Sequence, residues 1–301
     1  MGAVCVCEFS CVSVRRILMH RNGSINPNPS TGAFLCREKR RFFLQKNGRR
    51  ATINIETKTL GCMPGRFFAG RNSILQPYRY ETHAHTSEGS RCSQMPAEAL
   101  VRYYAARGYT GLCITDHFLN GNTTVPSCGS WESRIDQFCA GYERAAEAGA
   151  KLGLSVFFGW EFSHAGTDFL TYGLDKAWLL RHPDCHTLRV PEYSALVHES
   201  GGFLVQAHPF REDWYIETIR LSPRDVDAVE VVNACRTAFE NENADWYASR
   251  YALLKTAGSD IHRPLTQRAG LCTEKKLRSS GMLMEALQAG TAAIFTETDA
   301  V

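Results

Sequence analysis

The feature that most constrains this chain is a recurring unit: a short apolar run, a metal-type residue at its end, and a helical pattern after it. The first run leads through Tyr80-Glu81-Thr82-His83-Ala84-His85-Thr86-Ser87-Glu88. Side chains of an extended segment alternate between faces, so His83 and His85 point one way and Ala84 the other, with Glu88 close behind. Related endings return at Thr115-Asp116-His117, Gly159-Trp160-Glu161, Ala207-His208-Pro209 and Gly258-Ser259-Asp260-Ile261-His262. One histidine pair is a weak signal. Metal-type residues at successive strand ends have no use in packing.

Taken in order, the pattern predicts strands over 78–83, 111–115, 154–158, 169–172, 203–207, 226–232, 253–257 and 292–295. Helices are predicted over 97–107, 135–151, 191–200, 242–251 and 280–289, the first opened by Pro96 and closed by Gly108. Such βα repeats imply a parallel sheet with helices outside, closed or nearly closed into a barrel. Barrels of this kind collect their chemistry at the C-terminal ends of the strands, where the candidate ligands fall.

Charge divides the chain. Residues 1–77 hold 13 Lys/Arg against 3 Asp/Glu, in a chain with 34 and 31 in all, so the body from Tyr78 onward is mildly acidic. An acidic body disfavours a general nucleic-acid surface, although a nucleic-acid substrate stays open. The basic extension 1–77 reads as a disordered Cys-containing tail or a targeting leader, and Met63 as an alternative start. Twelve cysteines without any C-x-x-C do not form a disulfide framework; Cys113 and Cys139 sit in apolar runs as small buried hydrophobes. That points to a reducing compartment, the cytoplasm, or an organelle if the extension is a transit peptide. No apolar run approaches the ~20 residues of a membrane span. Nothing in the sequence sets the oligomeric state.

The motifs in this order resemble the PHP (polymerase and histidinol phosphatase) domain family, over roughly Tyr78 to the C-terminus. The H-x-H is His83 and His85, the T-D-H holds Asp116 and His117, the H-P begins at His208, and the S-D-x-H holds Asp260 and His262. Glu161 matches the G-x-E carboxylate. The resemblance implies a distorted (β/α)7 TIM-like barrel in residues 78–301, with two or three divalent ions (Mn, Fe or Zn), that hydrolyses phosphate esters. It also implies ligand roles. His83, His85, Glu161 and Asp260 would hold one ion, Glu161 would bridge to a second completed by His208, and Glu88, His117 and His262 would serve the remaining position. Two positions depart from the family pattern: Glu88 stands nearer the H-x-H than the usual ligand, and Asp168 stands where many members have a histidine.

Mixed imidazole and carboxylate donors suit Zn²⁺, Mn²⁺ or Fe²⁺ better than Mg²⁺ or Ca²⁺. Arg211, three residues after His208, is the candidate phosphate clamp, because a guanidinium matches phosphate bidentately; Arg263 is a second candidate. Asp116 is a candidate proton acceptor or an orienting partner of His117. His164, His182, His186 and His198 stand in no motif, and Trp160, Phe162 and Phe169 read as barrel packing. The expected activity is hydrolysis of a small phosphomonoester, histidinol phosphate among the candidates, or of a nucleotide. The alternatives are an exonuclease with the same chemistry and a metal-binding barrel without turnover.

Overall fold

The computed structural model describes residues 78–299 and, before them, the backbone of one hairpin. That hairpin pairs β1 (Leu35–Lys46) with β2 (Arg49–Leu60) antiparallel, in a unit separate from the body. The rest of the 1–77 extension, with the leader reading attached to it, lies outside the described residues.

The body begins with β3 (Tyr78–Ala84), α1 (Ala97–Ala105), β4 (Gly111–Ile114), α2 (Trp131–Leu152), β5 (Ser155–His164) and β6 (Thr167–Tyr172). It continues with α3 (Lys176–Arg181), α4 (Val190–Glu199), β7 (Phe203–Ala207), β8 (Ala228–Asn233), α5 (Ala238–Tyr251) and β9 (Leu254–Gly258). The last elements are β10 (Gln267–Thr273), α6 (Ser280–Gln288) and β11 (Ala292–Thr298). Local chemistry sets the helix ends. Ser130 accepts from Ser133 N–H at the start of α2, and Gly153, at φ 71°, ends it. A reciprocal Thr237–Glu240 cap starts α5.

The body strands form one sheet, ordered β11-β10-β3-β4-β5-β6-β7-β8-β9. It nearly closes on itself: Ile261, just past β9, bridges Ala84 in parallel, and its carbonyl accepts from His85 N–H at 3.2 Å. The sheet is mixed where an all-parallel one was expected. β6 runs antiparallel to both neighbours because Ala165 (φ 51°) and Gly166 (φ 80°) fold β5 back in a two-residue turn that matches strand twist. β10 and β11 add an antiparallel edge beside β3, and no described helix joins β7 to β8. A count of seven βα repeats does not emerge from these elements. Trp160, Phe162 and Phe169 are fully buried with Tyr193 in the core beneath α2–α4, and Trp160 Nε1 donates to Tyr193 Oη at 2.6 Å.

Candidate metal centre

The sheet brings the strand-end residues to one point. His83 and His85 leave β3 on one face, and their Nε2 atoms are 3.1 Å apart. A parallel bridge between His117 and Glu161, just beyond β4, sets those two side by side. His208 ends β7, and Asp260 and His262 follow β9. His208 (φ 26°) and Asp260 (φ 53°) hold backbone conformations that cost non-glycine residues energy, a strain that concentrates at functional sites.

The donor atoms enclose a shared centre. His83 Nε2 lies 3.5 Å from Glu161 Oε1 and 3.5 Å from Asp260 Oδ1. His85 Nε2 lies 3.6 Å from Glu161 Oε2 and 3.4 Å from Asp260 Oδ1. Tetrahedral ligands with bonds of ~2.1 Å stand about 3.4 Å apart, so this is the spacing of ligands around one ion. His208 Nε2, 3.3 Å from Glu161 Oε1, extends the cluster on one side, where Asp168 joins it. His262, stacked on His85, extends it on the other with His117.

These groups do not satisfy one another. Both Glu161 carboxylate oxygens and His208 Nε2 are buried without a hydrogen-bond partner. His117 Nδ1, though 2.6 Å from Glu161 Oε2, lacks the alignment of a hydrogen bond. Buried polar atoms left unmatched are costly, and a divalent cation among them removes the deficit. The residues present fit such ions.

Charge and orientation agree with that fit. Burial raises the pKa of Glu161 and Asp260, but the surrounding imidazoles outweigh it and keep both carboxyls well below their usual range. Burial, reinforced by His262 and His117, holds His85 well below its ordinary value and so neutral. His83 and His117 are pushed well above theirs: burial opposes this, and Glu230 with Asp260, or Glu161, outweighs it.

Glu230, on β8, orients His83. Its Oε1 is 2.9 Å from His83 Nδ1, while its Oε2 accepts from His208 N–H and Asn233 Nδ2. With the Nδ1 proton so engaged, the Nε2 lone pair of His83 faces the centre. Ser90 does the same for His85: its hydroxyl donates to Asp116 Oδ1 at 2.8 Å and takes His85 Nδ1 at 3.0 Å. Asp116 therefore acts through Ser90 on His85, with its other contacts to Thr86 N–H and Oγ. The described hydrogen bonds of its carboxyl go to Ser90 and Thr86 and none to the His117 ring. Burial raises its carboxyl pKa to about 6 against those hydrogen bonds.

Glu88 stands apart from the cluster. It joins none of the ligand groups; its Oε2 accepts from Ala97 N–H at the start of α1, and its Oε1 lies 3.6 Å from Arg144. Arg211 pairs with Asp168 at 3.0 Å, and its buried Nε has no hydrogen-bond partner. The two line a pocket with His208, Ile216, Ile219 and Arg220. Arg263 is exposed. His164, His182, His186 and His198 join no ligand group. The sequence reading missed Glu230, a lone acid inside the apolar run of β8, and also missed Ser90 and Cys92. Cys92 Sγ lies 3.2 Å from His117 Nε2, with His262 as its second imidazole neighbour. Burial raises that thiol's pKa, but the two imidazoles outweigh it and bring the value to about 6.

Among solved structures, the chain is similar to a two-domain protein of Bacteroides vulgatus named for a predicted PHP-like metal-dependent phosphoesterase. The two share 19% identity and a TM-score of 0.51 over 72% of this chain, which spans only 64% of that protein. PsfC of Pseudomonas syringae (19% identity, 74% of this chain and 93% of that one, TM-score 0.47) is a further match. So is an amidohydrolase of Chromobacterium violaceum (15%, 62% and 88%, TM-score 0.44). No family model and no curated protein matches the sequence. The chain shares the fold of the Bacteroides vulgatus protein. Among the described residues, no helix is long and apolar enough to cross a membrane.

Proposed function

We propose that this chain is a metal-dependent phosphoesterase hydrolysing a small phosphomonoester or a nucleotide. The observation that carries the reading is the set of buried donors on His83, His85, Glu161 and Asp260, at ligand spacing around a Glu161 carboxylate with no hydrogen-bond partner. His83, His85, Glu161 and Asp260 would hold divalent ions, Mn, Fe or Zn, which would supply an acidified water and neutralise phosphoryl oxygens. The chain's own residues do the rest. Glu230 and Ser90 hold the His83 and His85 rings in the tautomer that offers Nε2. Glu161 and Asp260 stay ionised as ligands. Arg211, anchored on one side by Asp168, keeps its Nε for a phosphoryl oxygen at the edge of the centre.

The test uses the full-length chain purified without chelator. Metal content is measured, followed by phosphate release from phosphomonoesters (histidinol phosphate included), nucleotides and short oligonucleotides. Two or three ions per chain with phosphate release from small esters is the expected result. A preference for oligonucleotides moves the activity to an exonuclease. Bound metal without turnover leaves a binding barrel, and a metal-free chain overturns the centre itself.

A further inference from the structure

We propose that Cys92 is a metal ligand: its thiolate, with the imidazoles of His117 and His262, forms a sulfur-containing position on the solvent side of the centre. The inference rests on the metal-centre reading above and names a donor that the sequence motifs do not contain.

The geometry places Cys92 as a fixed member of the site. Arg91 N–H donates to Asn122 O at 3.0 Å, Ser93 N–H to Ser90 O at 3.1 Å, and Gln94 N–H to His262 O at 2.7 Å. Ser93 Oγ donates to His85 O at 2.9 Å. Both flanks of Cys92 are therefore tied down, the C-terminal one to the backbone of the candidate ligands His85 and His262.

Its neighbours are two imidazoles of the centre. Cys92 Sγ is 3.2 Å from His117 Nε2, and His262 faces the same sulfur. His262 Nδ1 is occupied by Asp260 O at 2.8 Å, which leaves its Nε2 for the sulfur side. His117 is nine-tenths buried, with its Nε2 toward the sulfur and its Nδ1 toward Glu161 Oε2. His85, His117 and His262 converge as a possible ligand group, and the thiol stands beside it against His117.

The arrangement also explains what the β3–α1 loop contributes. Glu88, the expected donor from this loop, turns to the start of α1, and Cys92 faces the two imidazoles instead. On binding, the thiol proton leaves to solvent and a metal–sulfur bond forms. A thiolate with imidazoles selects Zn²⁺, Fe²⁺ or Co²⁺ over Mn²⁺ and Mg²⁺. Cys92 is exposed, so the position lies open to water and to a substrate.

The test is cobalt loading of the full-length, chelator-stripped chain, read by absorption, beside Cys92→Ser and Cys92→His. The wild type is expected to show a near-ultraviolet thiolate-to-cobalt charge-transfer band that both variants lack. Cys92→Ser should bind about one cobalt fewer per chain, and Cys92→His should keep it. Cobalt bound with its visible spectrum but no thiolate band overturns the proposal and leaves the centre standing. A band that persists in Cys92→Ser also overturns it, and assigns the sulfur elsewhere, Cys235 being near Asp260. A chain that binds no cobalt overturns both readings. If the variants fail to fold, X-ray absorption of the zinc-loaded wild type decides by the presence or absence of a sulfur neighbour at ~2.3 Å.

Discussion

The two sides of the candidate centre are built differently. On the strand side, His83, Glu230 and Asp260 come from β3, β8 and the end of β9, positions fixed by sheet register. A buried carboxylate orients His83, and Asn233 donates to both Glu230 and Asp260. Packing is tight enough that a Cβ on Gly258 would lie 2.5 Å from His83 Cβ. On the loop side, the turns after β3 and β4 place Ser90, Cys92 and His117, and a neutral hydroxyl orients His85. There the constraint is a net of turn hydrogen bonds, backed by Gly89, whose Cβ would lie 2.4 Å from Asp116 Cγ. Strand register leaves little choice of side chain at a ligand position, whereas a turn can change which residue it offers inward. That difference is why both departures in this loop, Glu88 out and Cys92 in, fall on the loop side.

The largest effect should come from breaking the strand side. Asp260→Ala removes a ligand that faces His83, His85 and His208, so metal content and phosphate release should both collapse, with folding retained by circular dichroism. Retained metal would displace Asp260 from the centre. Glu230→Gln should weaken metal binding ~10–100-fold, the usual cost of losing an orienting partner. The amide still accepts from His83, but its NH₂ then faces donors, His208 N–H and Asn233 Nδ2. Ser90→Ala on the loop side should cost less affinity, and the ratio of the two measures the asymmetry.

Acidity sharpens the same contrast. His83 and His117 sit well above the ordinary imidazole range in the ion-free protein, so at neutral pH each carries a proton that metal must displace. Affinity should therefore rise with pH, by roughly tenfold per unit for each proton released, and fall as pH drops. Chelator competition at about pH 6 and pH 8 reads this directly. A flat profile would mean that the rings are already neutral.

What was legible in the sequence follows the same division. The strand-end motifs stood out because apolar runs deliver them, and the alternation that puts His83 and His85 on one face needs no tertiary information. Glu230 carried a signal, an acid inside Ala-Val-Glu-Val-Val, that strand periodicity alone reads as packing. Ser90 and Cys92 carried none, because a turn hydrogen bond leaves no period. β10 escaped for a related reason: Gln267 and Arg268 open it and Gly270 interrupts it, although Arg268 is buried on Glu297 and Asp299. The β1–β2 hairpin had a local mark, Asn47-Gly48 between its paired ends, obscured by the charged composition around it.

Arg211→Lys probes the pocket beside the strand side. Lysine keeps the charge and loses the fork that spans Asp168 and a phosphoryl oxygen, so kcat/KM should fall about tenfold, mostly in KM, with metal content unchanged. An effect confined to kcat would remove Arg211 from ground-state substrate binding.

The smallest effect tests the loop side. Glu88 accepts from the first N–H of α1, one of the donors a helix cannot satisfy internally, and its charge favours that helix end. Glu88→Ala should lower stability by about 1 kcal/mol, the usual worth of such a cap, and leave the metal count at the wild-type value. Glu88→Gln, which keeps the acceptor, should recover most of that stability. Thermal melts and metal analysis on the two variants separate the roles. If both variants lost an ion while stability held, Glu88 would return to the centre, and the loop would offer a carboxylate there as well as a thiol.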